Sequence, residues 1–311
     1  MTSNLVLKKN FVRGCVPSFS GAPITWNSTS LTFMDEMINK LNIYVPNEIS
    51  SICDLTCGSG YLTMLLATKY RTKHLVLNDK EKHVVDILSM LVHDSSSIYS
   101  AAERYEADLA NGVITKDLFN KLKPYANSEK ADPYSFFVLT NHSVGNIYRR
   151  GTVGVNSTFR NIGKKTLVKN LRLYKTLFDL VGKNNISFNS LDISKGITFN
   201  NSMLYIYHPP RIDMSLSAAN KYSDASRMST AMATTLAEKT LNFCIANKAM
   251  MLAYVDARDS AFFRLLTHYK KNGKLNYVEV MDTSTVKRTV NIHVDANVGL
   301  ATVYKFLLIW A

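Results

Sequence analysis

Residues 208–211 read His-Pro-Pro-Arg, directly after the apolar run "MLYIY" at 203–207. Proline has no N–H for a sheet ladder, so two in succession end a strand and leave a rigid turn with free carbonyls. A neutral His208 can accept a hydrogen bond there; an imidazolium cannot, because both of its nitrogens donate. Arg211 carries a planar cation that can stack on a base or hold a phosphate or carboxylate. A second group lies in "DLTCGSGYLT", where Asp54, Gly58 and Gly60 share a strand-to-helix turn. Glycines let backbone adopt positive φ and approach a ligand closely. Asp79 follows Gly60 by nineteen residues, at the tip of the next strand, where an acid can accept from a ribose diol. Thr63 stands where a third glycine of a dinucleotide fingerprint would fall. That spacing leaves room for a nucleoside cofactor without pyrophosphate, such as S-adenosylmethionine. Asp54 has two readings: cofactor contact, or a carboxylate that fixes the turn through backbone N–H groups.

These residues need a parallel sheet to bring them together. Residues 50–55 read as a buried strand, 61–70 as a helix with apolar residues on one face, 73–78 as a second strand and 81–92 as a second helix. A β-α-β-α order predicts parallel pairing. Later come a strand at 203–207, a helix near 225–246, the strand "MMLAYV", a helix near 260–269, and strands near 277–281, 288–293 and 303–310, with antiparallel pairs among the last three. Residues 95–185 break the rhythm and read as an inserted, mostly helical subdomain. The expected division is therefore 1–94, 95–185 and 186–311, with both outer parts contributing to one sheet.

The chain of 311 residues carries a net charge of +13. Eight cations and no acid fall between residues 141 and 175: Arg149, Arg150, Arg160, Lys164, Lys165, Lys169, Arg172 and Lys175. Tyr148, Phe159 and Tyr174 are interspersed. Basic side chains mixed with aromatics suit a phosphate backbone and unstacked bases, although a charge run can also be a solvated face. Four scattered cysteines give no disulfide framework and no zinc pattern, so no metal is expected. Free thiols suit a reducing, cytoplasmic compartment. No signal peptide or membrane span is legible. Met228, Met232, Met250 and Met251 read as core fillers.

The order of these motifs resembles the adenine-N6 DNA methyltransferases of the GATC-methylating, Dam-like family. "SGAPITWNS", with Trp26, sits where that family contacts its cofactor; "DLTCGSG" resembles its glycine loop, and "VLNDKEKHVVDIL" its ribose-binding motif. "NHSVGNIYRRGTVGVN", with Tyr148, Arg149, Arg150 and Asn156, is similar to its DNA-recognition hairpin, and Arg160, Lys164 and Lys165 follow it. "ISFNSLDIS" resembles a strand whose acid, here Asp192, lies at the site; Asp192 could equally cap the following turn. "LYIYHPPRI" takes the slot of the family's catalytic Asp-Pro-Pro-Tyr, so the resemblance makes His208, Pro209, Pro210 and Arg211 the catalytic positions. In the family the Asp and the first proline carbonyl accept from the adenine amine, and the aromatic ring stacks on the flipped base. Here His and Arg replace both side chains. The family's Trp-Ala-Gly-Gly-Lys is also not reproduced.

The resemblance implies an α/β fold: a Rossmann-like S-adenosylmethionine-dependent methyltransferase sheet with an inserted DNA-recognition subdomain carrying a basic hairpin. It implies S-adenosylmethionine as cofactor and double-stranded DNA as partner, for a monomer or weak dimer. Two functions follow. One is methyl transfer to adenine N6; the other is a catalytically inactive DNA-binding pseudo-methyltransferase that masks or regulates sites. RNA methylation is a third.

Overall fold

The structure, a computed structural model, describes residues 34–143, 150–151, 154–155, 157–163, 166–198, 202–209, 211–212, 227–228, 230–257, 259–282 and 304–311. After helix α1 (Met34–Leu41) come β1 (Ser51–Asp54), α2 (Tyr61–Lys69), β2 (His74–Asn78) and α3 (Lys82–His93). The helical segment α4 (Ser95–Ala110), α5 (Lys116–Leu122), a 3-10 turn (Lys123–Asn127) and α6 (Pro133–His142) follows. A short hairpin, β3 (Arg150–Gly151) and β4 (Gly154–Val155), precedes α7 (Leu167–Val181). Then come β5 (Ile186–Asn189), β6 (Leu204–Tyr207), β7 (Arg211–Ile212), β8 (Arg227–Met228), α8 (Thr230–Asn247), β9 (Met250–Asp256), α9 (Ser260–Lys271), β10 (Asn276–Asp282) and β11 (Tyr304–Trp310).

Seven strands form one mixed sheet in the order β10-β11-β9-β6-β1-β2-β5. β5, β2, β1, β6 and β9 run parallel; β11 is antiparallel to both β9 and β10. The chain first builds outward from β1 through β2 to β5, then returns to the other side of β1 with β6. Strand order reverses between β1 and β6, and the carboxyl ends of those strands flank the crevice where open α/β sheets bind ligands.

Period-two alternation explains the layers. Ile52, Leu204, Ile206, Leu252, Tyr254, Phe306 and Leu308 face the core shared with α1 to α7. Cys53, Tyr205, Tyr207, Met251, Ala253, Val255, Leu307 and Ile309 face the other, with α8 and α9. Helix starts follow local chemistry: Thr115, Asp132 and Asp259 accept from the N–H of Leu118, Ser135 and Phe262, at 3.2, 2.8 and 2.9 Å.

Several expectations change. α2 is not one-sided: Tyr61, Thr63, Met64, Leu66 and Ala67 are all buried, because α7 packs against it opposite the sheet. The helix expected from 225 begins at Thr230, since 227–228 pair with 211–212. Met232 is 54% exposed and fills no core. The strand expected at 288–293 lies outside the described residues. Among the described residues, no helix is long and apolar enough to cross a membrane, and Cys53, Cys57 and Cys244 are free and buried.

Candidate functional site

β1 ends at Asp54, and the chain turns through 55–60 before α2. Asp54 accepts from Thr56 N–H at 3.1 Å and from the Thr63 hydroxyl. It is 3% exposed, so both oxygens are spent within the protein and its geometry is that of a turn-fixing residue. Burial pushes its pKa up to about 7, with the Thr63 and Thr56 hydrogen bonds pulling the other way. Gly58 and Gly60 have φ of +50° and +67°, where side chains are rare. Beneath Gly60 the Tyr174 hydroxyl of α7 donates to the Ser59 carbonyl, and a Cβ on Gly60 would come 2.9 Å from that hydroxyl.

The tip of β2 holds the turn from the other side. Asp79 accepts from Gly58 N–H and Glu81 N–H, each at 2.8 Å. It remains half-buried at the strand's carboxyl end, and burial raises its pKa. A carboxylate has about four lone-pair sites, so two remain for a ligand. Asn78, wholly buried, ties three strand ends together. Its amide donates to the Leu55 and Leu191 carbonyls at 2.9 and 3.1 Å, and its side-chain oxygen accepts from Leu191 N–H at 2.9 Å. Its own carbonyl accepts from Cys57 N–H at 2.7 Å.

Asp192 follows β5. Its carboxylate caps the next turn, accepting from Ser194 N–H at 3.0 Å and Ser194 Oγ at 2.6 Å, and pairs with Lys80 at 3.2 Å. Partial burial pushes its pKa up, but the hydrogen bonds from Ser194 and Lys80 outweigh it, leaving it below the usual range. The turn-capping reading of Asp192 fits this geometry, with the side chain 22% exposed.

Across the reversal, β6 ends at Tyr207, where main-sheet pairing stops as the prolines dictate. His208 N–H donates to Thr56 Oγ1 at 2.8 Å, so the His-Pro-Pro turn is hooked onto the glycine turn. The ring of His208 continues the parity of Leu204 and Ile206. It packs on Tyr254 at 4.4 Å, and Tyr254 stacks on Phe306 at 4.2 Å. Burial lowers the His208 pKa to about 4, so the ring is neutral near pH 7.

The structure therefore brings Asp54, Gly58, Gly60, Asp79, Asp192, His208 and Pro209 to one sheet edge. Trp26, Tyr148, Arg149, Asn156, Lys164, Lys165 and Pro210 lie outside the described residues, as do the side chains of Arg150 and Arg211. Arg160 is exposed; its guanidinium reaches the Asn141 carbonyl at 3.4 Å. Of the aromatics read as base platforms, one is interior and one is partly buried against other rings. Tyr174 is 2% exposed, and Phe159 stacks on His142 at 5.4 Å and lies 5.6 Å from Phe119. Arg172 pairs with Glu103 of α4 and lies over Tyr99, and Lys175 pairs with Asp179 one turn on in the same helix, so both cations face acids. Sequence reasoning missed Thr56 and Tyr254, and gave Thr63 and Tyr174 other roles than the ones they have here. The spacing Leu167, Leu171, Tyr174, Phe178, Val181 was a buried helical stripe and could have placed Tyr174.

No family model matches the chain, and no curated protein matches it. Among solved structures it is similar in outline to the rRNA methyltransferase aviRa from Streptomyces viridochromogenes, at 9% identity and a TM-score of 0.35, over 89% of this chain and 82% of that one. It is also similar to the pyocyanin biosynthetic protein PhzM, at 7% identity and a TM-score of 0.32, over 89% of this chain and 55% of that one.

Proposed function

We propose that the chain is an S-adenosylmethionine-dependent methyltransferase acting on the exocyclic amine of adenine in duplex DNA. The observation that carries this is the hydrogen bond from His208 N–H to Thr56 Oγ1. It sets the His-Pro-Pro turn beside the glycine turn, at the strand-order reversal.

The cofactor reading fits the donors present. The N–H groups of Thr56, Cys57, Gly58 and Gly60 all donate within the protein. A turn with those amides committed is a poor cradle for pyrophosphate, whose binding rests on free backbone N–H groups. It suits a nucleoside without one. Asp79 would hold the ribose diol, and the positive-φ glycines would let the ligand lie against backbone. The bound cofactor would supply the electrophilic methyl group.

The chain's own residues would orient the amine. Neutral His208 accepts one amine hydrogen through its ring, and the Pro209 carbonyl accepts the other, drawing the nitrogen lone pair out of the base and toward the methyl. The neutral imidazole thus stands in for the carboxylate expected from the family resemblance. The basic hairpin would hold the DNA backbone, and the target base would swing out of the stack to reach this edge.

Calorimetry with S-adenosylmethionine, followed by a methyl-transfer assay on mixed-sequence duplex, tests the reading. Cofactor binding and transfer to adenine are expected. Cofactor and DNA both bound without transfer would replace it by the binding-only alternative. Absence of cofactor binding would overturn the methyltransferase reading and move weight to the binding-only alternative.

A further inference from the structure

The hairpin that follows α6 does not stand alone. Arg150 pairs with Val155 and Gly151 with Gly154. Val155 is 3% exposed, so one side of the hairpin is buried. Gly154, at φ +114°, lies flush on the 3-10 turn. A Cβ there would collide with the Lys123 carbonyl and come 2.8 Å from Pro124 N. Backbone thus rests on backbone where Gly154 meets the 3-10 turn.

The exposed side of that turn is chemically distinctive. Lys121 is exposed, Lys123 is partly so, and Tyr125 is 49% exposed. Lys123 Nζ sits 5.3 Å over the Phe119 ring, and Phe119 packs on Phe159, next to exposed Arg160. Lys123 and Arg160 therefore flank one aromatic pair. α7 runs from the glycine turn, which its Tyr174 touches, to the end that feeds β5. The hairpin precedes α7 in the chain, and Phe159 between them bridges Ser143 at the end of α6.

We propose that Lys121 and Lys123 bind the phosphate backbone of duplex DNA as an extension of the hairpin surface, with Tyr125 packing against the sugar beside them. This rests on the DNA reading above. It assigns phosphate contact to a helical turn outside the basic stretch 141–175, at positions that stretch does not include.

The test is a salt titration of affinity for mixed-sequence duplex, with four proteins. They are the parent, Arg149→Ala/Arg150→Ala, Lys121→Ala/Lys123→Ala, and Lys183→Ala/Lys271→Ala as a charge-matched control at the opposite sheet edge. Loss of two phosphate contacts should lower the salt slope by about 2 and weaken binding about tenfold near 0.1 M salt. The control should bind like the parent. A thermal melt checks folding, and Lys121→Gln/Lys123→Gln repeats the test should the alanine pair melt early. Parent-like affinity and slope for the lysine pair, with the arginine pair weakened, would overturn this proposal and leave the DNA reading standing. A parent that does not bind duplex overturns the DNA reading and this with it. Tighter binding of single-stranded RNA, with the same dependence on Lys121 and Lys123, would overturn duplex DNA as the partner.

Discussion

His208 is held neutral by its neighbours rather than by its own chemistry. With a folded pKa of about 4 against about 6.5 unfolded, the unfolded chain binds the extra proton between those values. Stability from this residue is therefore lost as pH falls from about 6.5 to 4. Methyl transfer should hold level down to about pH 5 and decline only as the ring protonates near 4, and His208→Ala should abolish it. A pH–rate profile decides: a decline centred on 6.5 would contradict the burial seen here. Asp54 has the opposite sign. Its folded value of about 7 lies above the usual carboxylate range, so the folded state binds more protons between about pH 4 and 7. Stability falls as pH rises through that window, by roughly 2–4 kcal/mol. Asp54→Asn, which can donate to the Thr63 hydroxyl instead, should flatten that dependence in denaturant melts at pH 5 and 8. Asp79→Ala should weaken S-adenosylmethionine about ten- to hundredfold by calorimetry, the loss of about two charge-assisted hydrogen bonds. The roles of Asp54 and Asp192 stayed divided in the sequence because an acid beside a turn can cap it or face a ligand. Only their partners, Thr63 for one and Ser194 with Lys80 for the other, separate the two.

At the scale of elements, the glycine turn is braced from three sides: by β2 through Asn78 and Asp79, by β6 through His208, and by α7 through Tyr174. The brace from α7 can be tested alone. Tyr174→Phe keeps the ring but leaves the Ser59 carbonyl without its donor, which should cost about 1–3 kcal/mol. Cofactor affinity should drop about tenfold, since the turn is then less fixed. Calorimetry showing parental affinity in a destabilised variant would reduce Tyr174 to a packing residue. β1, β2, β6 and β9 were legible because short apolar runs bounded by turn residues carry their own signal. α7 was misread for the same reason that charge runs mislead. Its cations dominate the composition, while the buried stripe from Leu167 to Val181 decides its packing. The partner of Lys175, Asp179, stands one helical turn on and was legible as an i,i+4 pair, whereas nothing in the sequence marked Glu103 as close to Arg172.

For the whole molecule, the sequence implied one α/β sheet, and the seven-stranded sheet with its strand-order reversal between β1 and β6 realises it. The position of β11 was not legible, since adjacency in a sheet depends on crossovers that no local pattern encodes. That position has a consequence for how a nascent chain completes itself. β11 lies between β9 and β10 and pairs with both, so β10 is synthesised before the strand that joins it to the sheet. Until residues 304–310 arrive, β9 presents an open edge whose side chains from Met251 to Asp256 are all otherwise buried. An unpaired apolar edge is a template for association with other chains. A polypeptide ending at residue 282 should therefore accumulate in aggregates, and supplying residues 304–311 as a separate peptide during refolding should raise the soluble yield, measured by centrifugation and gel filtration. Soluble, monomeric 1–282 without the peptide would mean that the edge is protected in some other way.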